Sequence, residues 1–158
     1  MNIIRFYDDT NVIINQIPLR NLLEGQYEMW EVEYCTYESG QKIRKVWRRG
    51  ESNVKECADW VIDEENKYYV FLDTRWEGEV DIPDDVRNQL TDMAIKKVYV
   101  YTRFDESAAE ELRARLEMNG VSVCGVEKIY ISKPIDSLMV IKNMLDVMHN
   151  GEMKQEDE

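Results

Sequence analysis

Short apolar runs of strand length alternate along this chain with stretches in which apolar residues recur every three or four positions. The densest run, Tyr68-Tyr69-Val70-Phe71-Leu72, leads straight into Asp73. Continuous apolarity of that length predicts a strand buried on both faces of a parallel sheet, with the acid at its end. Asn2 to Tyr7 predicts a first strand ending at Asp8-Asp9, and Thr10 can cap a helix that runs to Gly25 with a kink at Pro18. Glu28 to Tyr37 alternates, turns at Glu38-Ser39-Gly40, and Gln41 to Gly50 reads as the returning arm of a hairpin.

Further on, Ser52 predicts the start of a helix to about Glu65, with Val54, Cys57, Ala58, Val61 and Ile62 on one stripe. After the run ending at Asp73, the pattern predicts a helix over Asp84 to Met93, a strand over Lys97 to Thr102 and a helix over Asp105 to Met118. It then predicts a strand carried by Val121 to Ser132, in its last part, Lys128 to Ser132, a break at Lys133-Pro134 and a helix over Ile135 to Met148. Strands alternating with helices imply one α/β domain over residues 1–149, with an insertion at about 38–50 and an acidic tail over 150–158.

With 158 residues there is room for one sizeable core. A formal charge of −12 disfavours nucleic acid and anionic membrane surfaces, which repel an acidic protein. Cys35, Cys57 and Cys124 are scattered and His149 is the single histidine, so neither a disulfide framework nor a zinc site is indicated. No apolar stretch is long enough for a membrane helix and no signal-peptide core stands at the N-terminus, which leaves the cytoplasm as the expected compartment. Lys42, Arg44, Lys45, Arg48 and Arg49 form the basic segment of the chain. Two readings suit it: an edge strand protected by charge, or a docking arm for an acidic partner.

Four predicted strand ends carry chemistry: Asp8-Asp9, Asp73, Thr102 and Lys133. In a parallel sheet these converge on one edge, where carboxylates can hold Mg²⁺ and a hydroxyl and an ammonium can meet phosphate oxygens. The pieces Ile3 to Asp9, Val70 to Asp73, Val98 to Thr102 and Tyr130-Ile131-Ser132-Lys133-Pro134 together resemble the response-regulator receiver domains.

That resemblance implies a flavodoxin-like (βα)₅ doubly wound parallel sheet, strand order 2-1-3-4-5, here with a β-hairpin inserted after the second strand. It implies Asp73 as phosphoacceptor, Asp9 as a direct Mg²⁺ ligand, Asp8 acting through water, and the backbone carbonyl of Arg75 completing the metal site. Thr102 and Lys133 would contact the phosphoryl group, Tyr130 would be the switch aromatic, and Lys133–Pro134 would be a cis peptide. The implied partners are a sensor histidine kinase or phosphotransfer protein and a downstream protein target, for a stand-alone receiver. A pseudo-receiver that binds its partner without phosphate is the alternative. Arg103 stands where the family carries a small residue, and Trp76-Glu77-Gly78 replaces the usual loop after the phosphoacceptor. A haloacid-dehalogenase-like phosphatase would need a second Asp two residues after Asp73, where this chain has Arg75.

Overall fold

The computed structural model describes residues 1–9, 30–38, 40–47, 54–57, 59–76, 79–102 and 105–128. Within them lies one mixed sheet of seven strands with two helices: β1 (Asn2–Tyr7), β2 (Trp30–Glu38), β3 (Gln41–Trp47), β4 (Lys55–Cys57), β5 (Lys67–Asp73), α1 (Asp84–Leu90), β6 (Ile95–Thr102), α2 (Glu106–Met118) and β7 (Gly125–Lys128). The strands are ordered β4-β3-β2-β1-β5-β6-β7. β1 pairs in parallel with both β2 and β5, and β5–β6 and β6–β7 are also parallel. β2–β3 and β3–β4 are antiparallel. Gly40, at φ +76, takes the left-handed conformation needed in the short link between β2 and β3. No helix among the described residues is long and apolar enough to cross a membrane.

Alternation along the strands divides the side chains between two faces. On one, Ile3, Tyr7, Cys35, Tyr68, Val70, Leu72, Val98 and Val100 join Val86 and Leu90 of α1 and Ala109, Leu112 and Leu116 of α2 in a single core. On the other runs an aromatic row: Phe6 stacks on Phe71 with centroids 5.0 Å apart, and Phe71 on Tyr99 at 5.5 Å. Burial of both faces is what the unbroken apolar run of β5 predicts, and only Lys67 of that strand is exposed.

The entry to α2 is fixed by Asp105, whose carboxylate accepts the Ala108 N–H at 3.0 Å. Its exit is fixed by Gly120 at φ +83, followed by a bond from Val121 N–H to Leu116 O at 3.0 Å.

The helix expected from Ser52 to about Glu65 is not formed. Lys55–Cys57 is a strand and residues 59–66 are irregular. Trp60 sits in the core with no exposed surface, while Val61, which shares the supposed helical stripe, is 54% exposed. Local side chains take the backbone donors that a helix would use: Asp59 Oδ1 accepts the Trp60 N–H, Asp63 Oδ1 accepts the Glu65 N–H, and the Tyr68 hydroxyl accepts the Asp63 N–H. The basic strand β3 is likewise not an edge, because the three-residue β4 covers it.

The remaining strands and helices match their expected positions apart from their ends. The final strand, Gly125–Lys128, lies within the expected Val121 to Ser132 but starts before its last part, and residues 129–132 lie outside the described residues. The expected helices over 10–25 and 135–148, the tail, and the Lys133–Pro134 peptide lie outside the described residues.

Candidate functional site

Asp8 continues the ladder one step past β1, its N–H donating to Cys35 O at 3.1 Å. Alternation therefore puts its side chain on the face of Ile4 and Phe6, where it has no exposed surface. Phe6 is level with Phe71 and Tyr7 with Leu72, which brings Asp8 level with Asp73 on the neighbouring strand. Asp73, 8% exposed, shares that face at the carboxyl end of β5. Asp9 follows, half-buried, and the ligand oxygens of Asp8, Asp9 and Asp73 all lie within 4.8 Å of one another.

Tyr101 of β6 is paired with Asp73 and projects on the same side. Its hydroxyl donates to Asp8 Oδ2 at 2.5 Å. Burial first, and then the charges of Asp8 and Asp73, push the Tyr101 phenol well above its ordinary 10.0, so it remains a donor throughout the working pH range. The turn after Asp73 is pinned twice: Thr74 N–H donates to Asp73 Oδ1 at 2.9 Å, and Thr74 Oγ1 donates to Tyr101 O at 2.7 Å.

A buried hydroxyl adjoins this cluster. Thr36 follows Cys35, the register partner of Tyr7, and so falls level with Asp8 on the same face. It is fully buried, and its Oγ1 has no hydrogen-bond partner among the described residues. An unpaired buried hydroxyl costs on the order of 1–3 kcal/mol, and three clustered carboxylates repel one another. A hard divalent cation with its bound water relieves both, so this donor set of carboxylate oxygens fits Mg²⁺.

The other expected site residues are placed as follows. Thr102 lies at the same sheet edge and is buried, but it alternates to the side opposite Asp73 and Tyr101. Its Oγ1 accepts the Asp105 N–H at 3.0 Å, supporting the start of α2. The exposed Arg75 guanidinium pairs with Asp105 at 3.1 Å, and this pairing together with the Ala108 N–H holds the Asp105 carboxyl below its ordinary 3.8. The Ala108 bond is the larger cause. Lys133 and Tyr130 lie outside the described residues.

Tyr101 and Thr36 are the members that sequence reading missed. Tyr101 looks like one more strand aromatic until the β5–β6 register sets it beside Asp73. Thr36 needs the β1–β2 register in the same way.

The described part of the basic segment is engaged in ion pairs, and Arg48 and Arg49 lie outside the described residues. Arg44 donates to Glu33 Oε1 at 2.7 Å, and Lys42 pairs with Asp85 at 2.6 Å and lies over the Trp60 ring. Comparison of the chain with family models, with curated proteins and with solved structures finds no match, so its chemistry rests on this geometry.

Proposed function

We propose that the chain is a receiver module of a two-component phosphorelay, phosphorylated on Asp73 with Mg²⁺ as cofactor. The observation that carries this reading is the meeting of Asp8, Asp9 and Asp73 at the carboxyl edge of adjacent parallel strands. The flavodoxin-like arrangement belongs to the same proposal. With the antiparallel pair β3–β4 set aside, the parallel strands run β2-β1-β5-β6-β7, which supports an order 2-1-3-4-5.

On this reading a carboxylate oxygen of Asp73 attacks phosphorus in line. A P–O bond to Asp73 forms while the bond to the donor's leaving group breaks, and the electron pair departs with that group. Mg²⁺, held by Asp8, Asp9 and Asp73 with the Arg75 carbonyl, would neutralise charge on the transferred oxygens. Tyr101 fixes Asp8 by its hydrogen bond, and Thr74 fixes Asp73 through its N–H. Lys133 is proposed to meet the phosphoryl group, so that the added charge biases a protein-binding face; for Thr102 to join it, with Tyr130 following, its hydroxyl would have to leave the Asp105 N–H and turn from the side opposite Asp73.

Incubation with acetyl phosphate and MgCl₂, followed by intact-mass measurement, tests this. One phosphoryl is gained by the native protein and none by Asp73→Asn or in EDTA. A gain that persists in Asp73→Asn, or no gain in the native chain, rejects the assignment.

A phosphate-independent pseudo-receiver is favoured by one observation: Asp8 and Asp73 already accept hydrogen bonds from Tyr101 and Thr74. Capture of the partner would then be unchanged by Asp73→Asn. Docking through Lys42 or Arg44 would in that case compete with their ion pairs to Asp85 and Glu33.

A further inference from the structure

A cavity of about 340 Å³ opens between the end of β2 and the segment that follows β5, lined by Tyr37, Trp76, Glu79, Asp81, Ile82 and Pro83. The Tyr37 and Trp76 rings stand 88° apart with centroids 5.9 Å from each other, so they form a right-angled corner. Trp60 packs behind both, at 4.9 Å from Tyr37 and 6.2 Å from Trp76. This cluster already holds one cation, since Lys42 Nζ lies 5.2 Å from the centre of the Trp60 ring.

The two acids of the cavity are not equivalent. Asp81 is neutralised by Arg87 at 2.9 Å and Arg115 at 3.7 Å. Glu79 is exposed and has no ion pair among the described residues. Reciprocal backbone bonds between Trp76 and Glu79, 2.9 and 3.0 Å, hold that carboxylate's residue beside the indole. Trp76 is itself only 5% exposed, and its buried Nε1–H is closed to a group in the cavity, so Trp76 offers ring surface alone. Aromatic walls and a carboxylate with no ion pair among the described residues are therefore gathered at a single cavity.

We infer that this cavity binds an alkylated ammonium group. The ring faces attract the diffuse charge, and Glu79 supplies the counter-charge. Alkylation lowers the cost of leaving water, which a primary ammonium would pay in full. This chemistry is shared by a free choline-type cation and by an N-methylated lysine side chain. The inference is independent of phosphorylation at Asp73.

Calorimetric titration of the full chain with choline, with its neutral isostere 3,3-dimethylbutan-1-ol and with an N-acetyl trimethyllysine amide tests the site. Choline should bind roughly tenfold more tightly than the neutral isostere. Glu79→Gln, a surface change that leaves folding intact, should weaken it several-fold, and Tyr37→Phe should retain binding that Tyr37→Leu loses. A tighter trimethyllysine amide identifies a protein side chain as the natural source, and a tighter choline identifies a free cation. Equal binding of the neutral isostere, an unchanged Glu79→Gln affinity, or no heat with any cation overturns the site.

Discussion

The Tyr101 hydroxyl reaches across the width of β5 to Asp8 Oδ2 at 2.5 Å, although β6 and β1 are not neighbours in the sheet. The side chain passes over Asp73, its own register partner, and its ring lies edge-on to Phe6 with centroids 6.1 Å apart. A buried bond to a carboxylate contributes about 1.5–3 kcal/mol. Tyr101→Phe should lower the unfolding free energy by about that much in EDTA, read from urea midpoints. In millimolar MgCl₂ the loss should shrink, because a bound cation gives Asp8 a second partner. An identical loss in both buffers would separate Asp8 from any metal site.

Three carboxylates within 4.8 Å of one another make the metal-free protein pay for its own site. Asp73→Asn removes one charge and should raise the EDTA melting point, by on the order of 1 kcal/mol in stability. The same change should abolish the stabilisation that MgCl₂ gives the native chain. Thr36→Val keeps the shape of the buried hydroxyl while deleting its unmet polarity, so it should stabilise the EDTA form by about 1 kcal/mol. It should also reduce the gain from MgCl₂. Melting curves that ignore MgCl₂ in the native protein would count against the cluster as a cation site.

Much of this site could be read from sequence, for a local reason. The Asp8-Asp9 pair and Asp73 each follow a strand-length run directly, and parallel pairing carries consecutive strand ends to one edge without further information. What escaped depended on register or on distant partners. Arg5 reads as an ordinary strand charge until Glu33, 28 residues away, is set beside it. The 52–65 stretch has a helical spacing of Val54, Cys57, Val61 and Ile62, yet Trp60 is the residue that the core takes in, and its burial unwinds the pattern. The Gln41–Trp47 strand looked like an edge because a three-residue cover such as β4 is too short to leave a periodic signal.

Arg5 is fully buried and Glu33 nearly so. Arg5 Nε and Nη2 both donate to Glu33 Oε2, at 2.9 and 2.6 Å, Nη1 donates to the Tyr7 hydroxyl at 3.0 Å, and Nη2 also donates to Val61 O at 2.6 Å. The guanidinium lies 4.4 Å from the centre of the Tyr68 ring. Glu33→Gln leaves the buried Arg5 charge without its counter-charge and should cost about 3–5 kcal/mol, and Arg5→Met, which leaves Glu33 paired with Arg44 alone, should cost somewhat less. Arg44→Ala, at the wetter end of the network, should cost about 1 kcal/mol. Arg5→Met combined with Glu33→Met should cost much less than the sum of the single changes, in a urea-unfolding cycle. Additive costs would mean that the two groups are not coupled.

Cys35 sits in the same core with no exposed surface, and burial pushes its thiol up from 9.0 to about 12. Glu33 adds to the rise, and Arg5 and Arg44 oppose it. The folded chain therefore holds a proton that the unfolded chain gives up above pH 9. The resulting stability is fully present below pH 9.0 and is lost progressively as pH rises towards about 12, at roughly 1.4 kcal/mol per pH unit for one group. Tyr7 and Tyr101, both raised chiefly by burial, steepen the loss above their ordinary 10.0. Cys35→Ala should flatten the decline between pH 9 and 10, where the thiol acts before the phenols, at the cost of a small cavity that is independent of pH. Urea midpoints across pH 7.5 to 10.5 measure it, and a native slope that Cys35→Ala leaves unchanged would mean that the thiol ionises alike in the folded and unfolded chains.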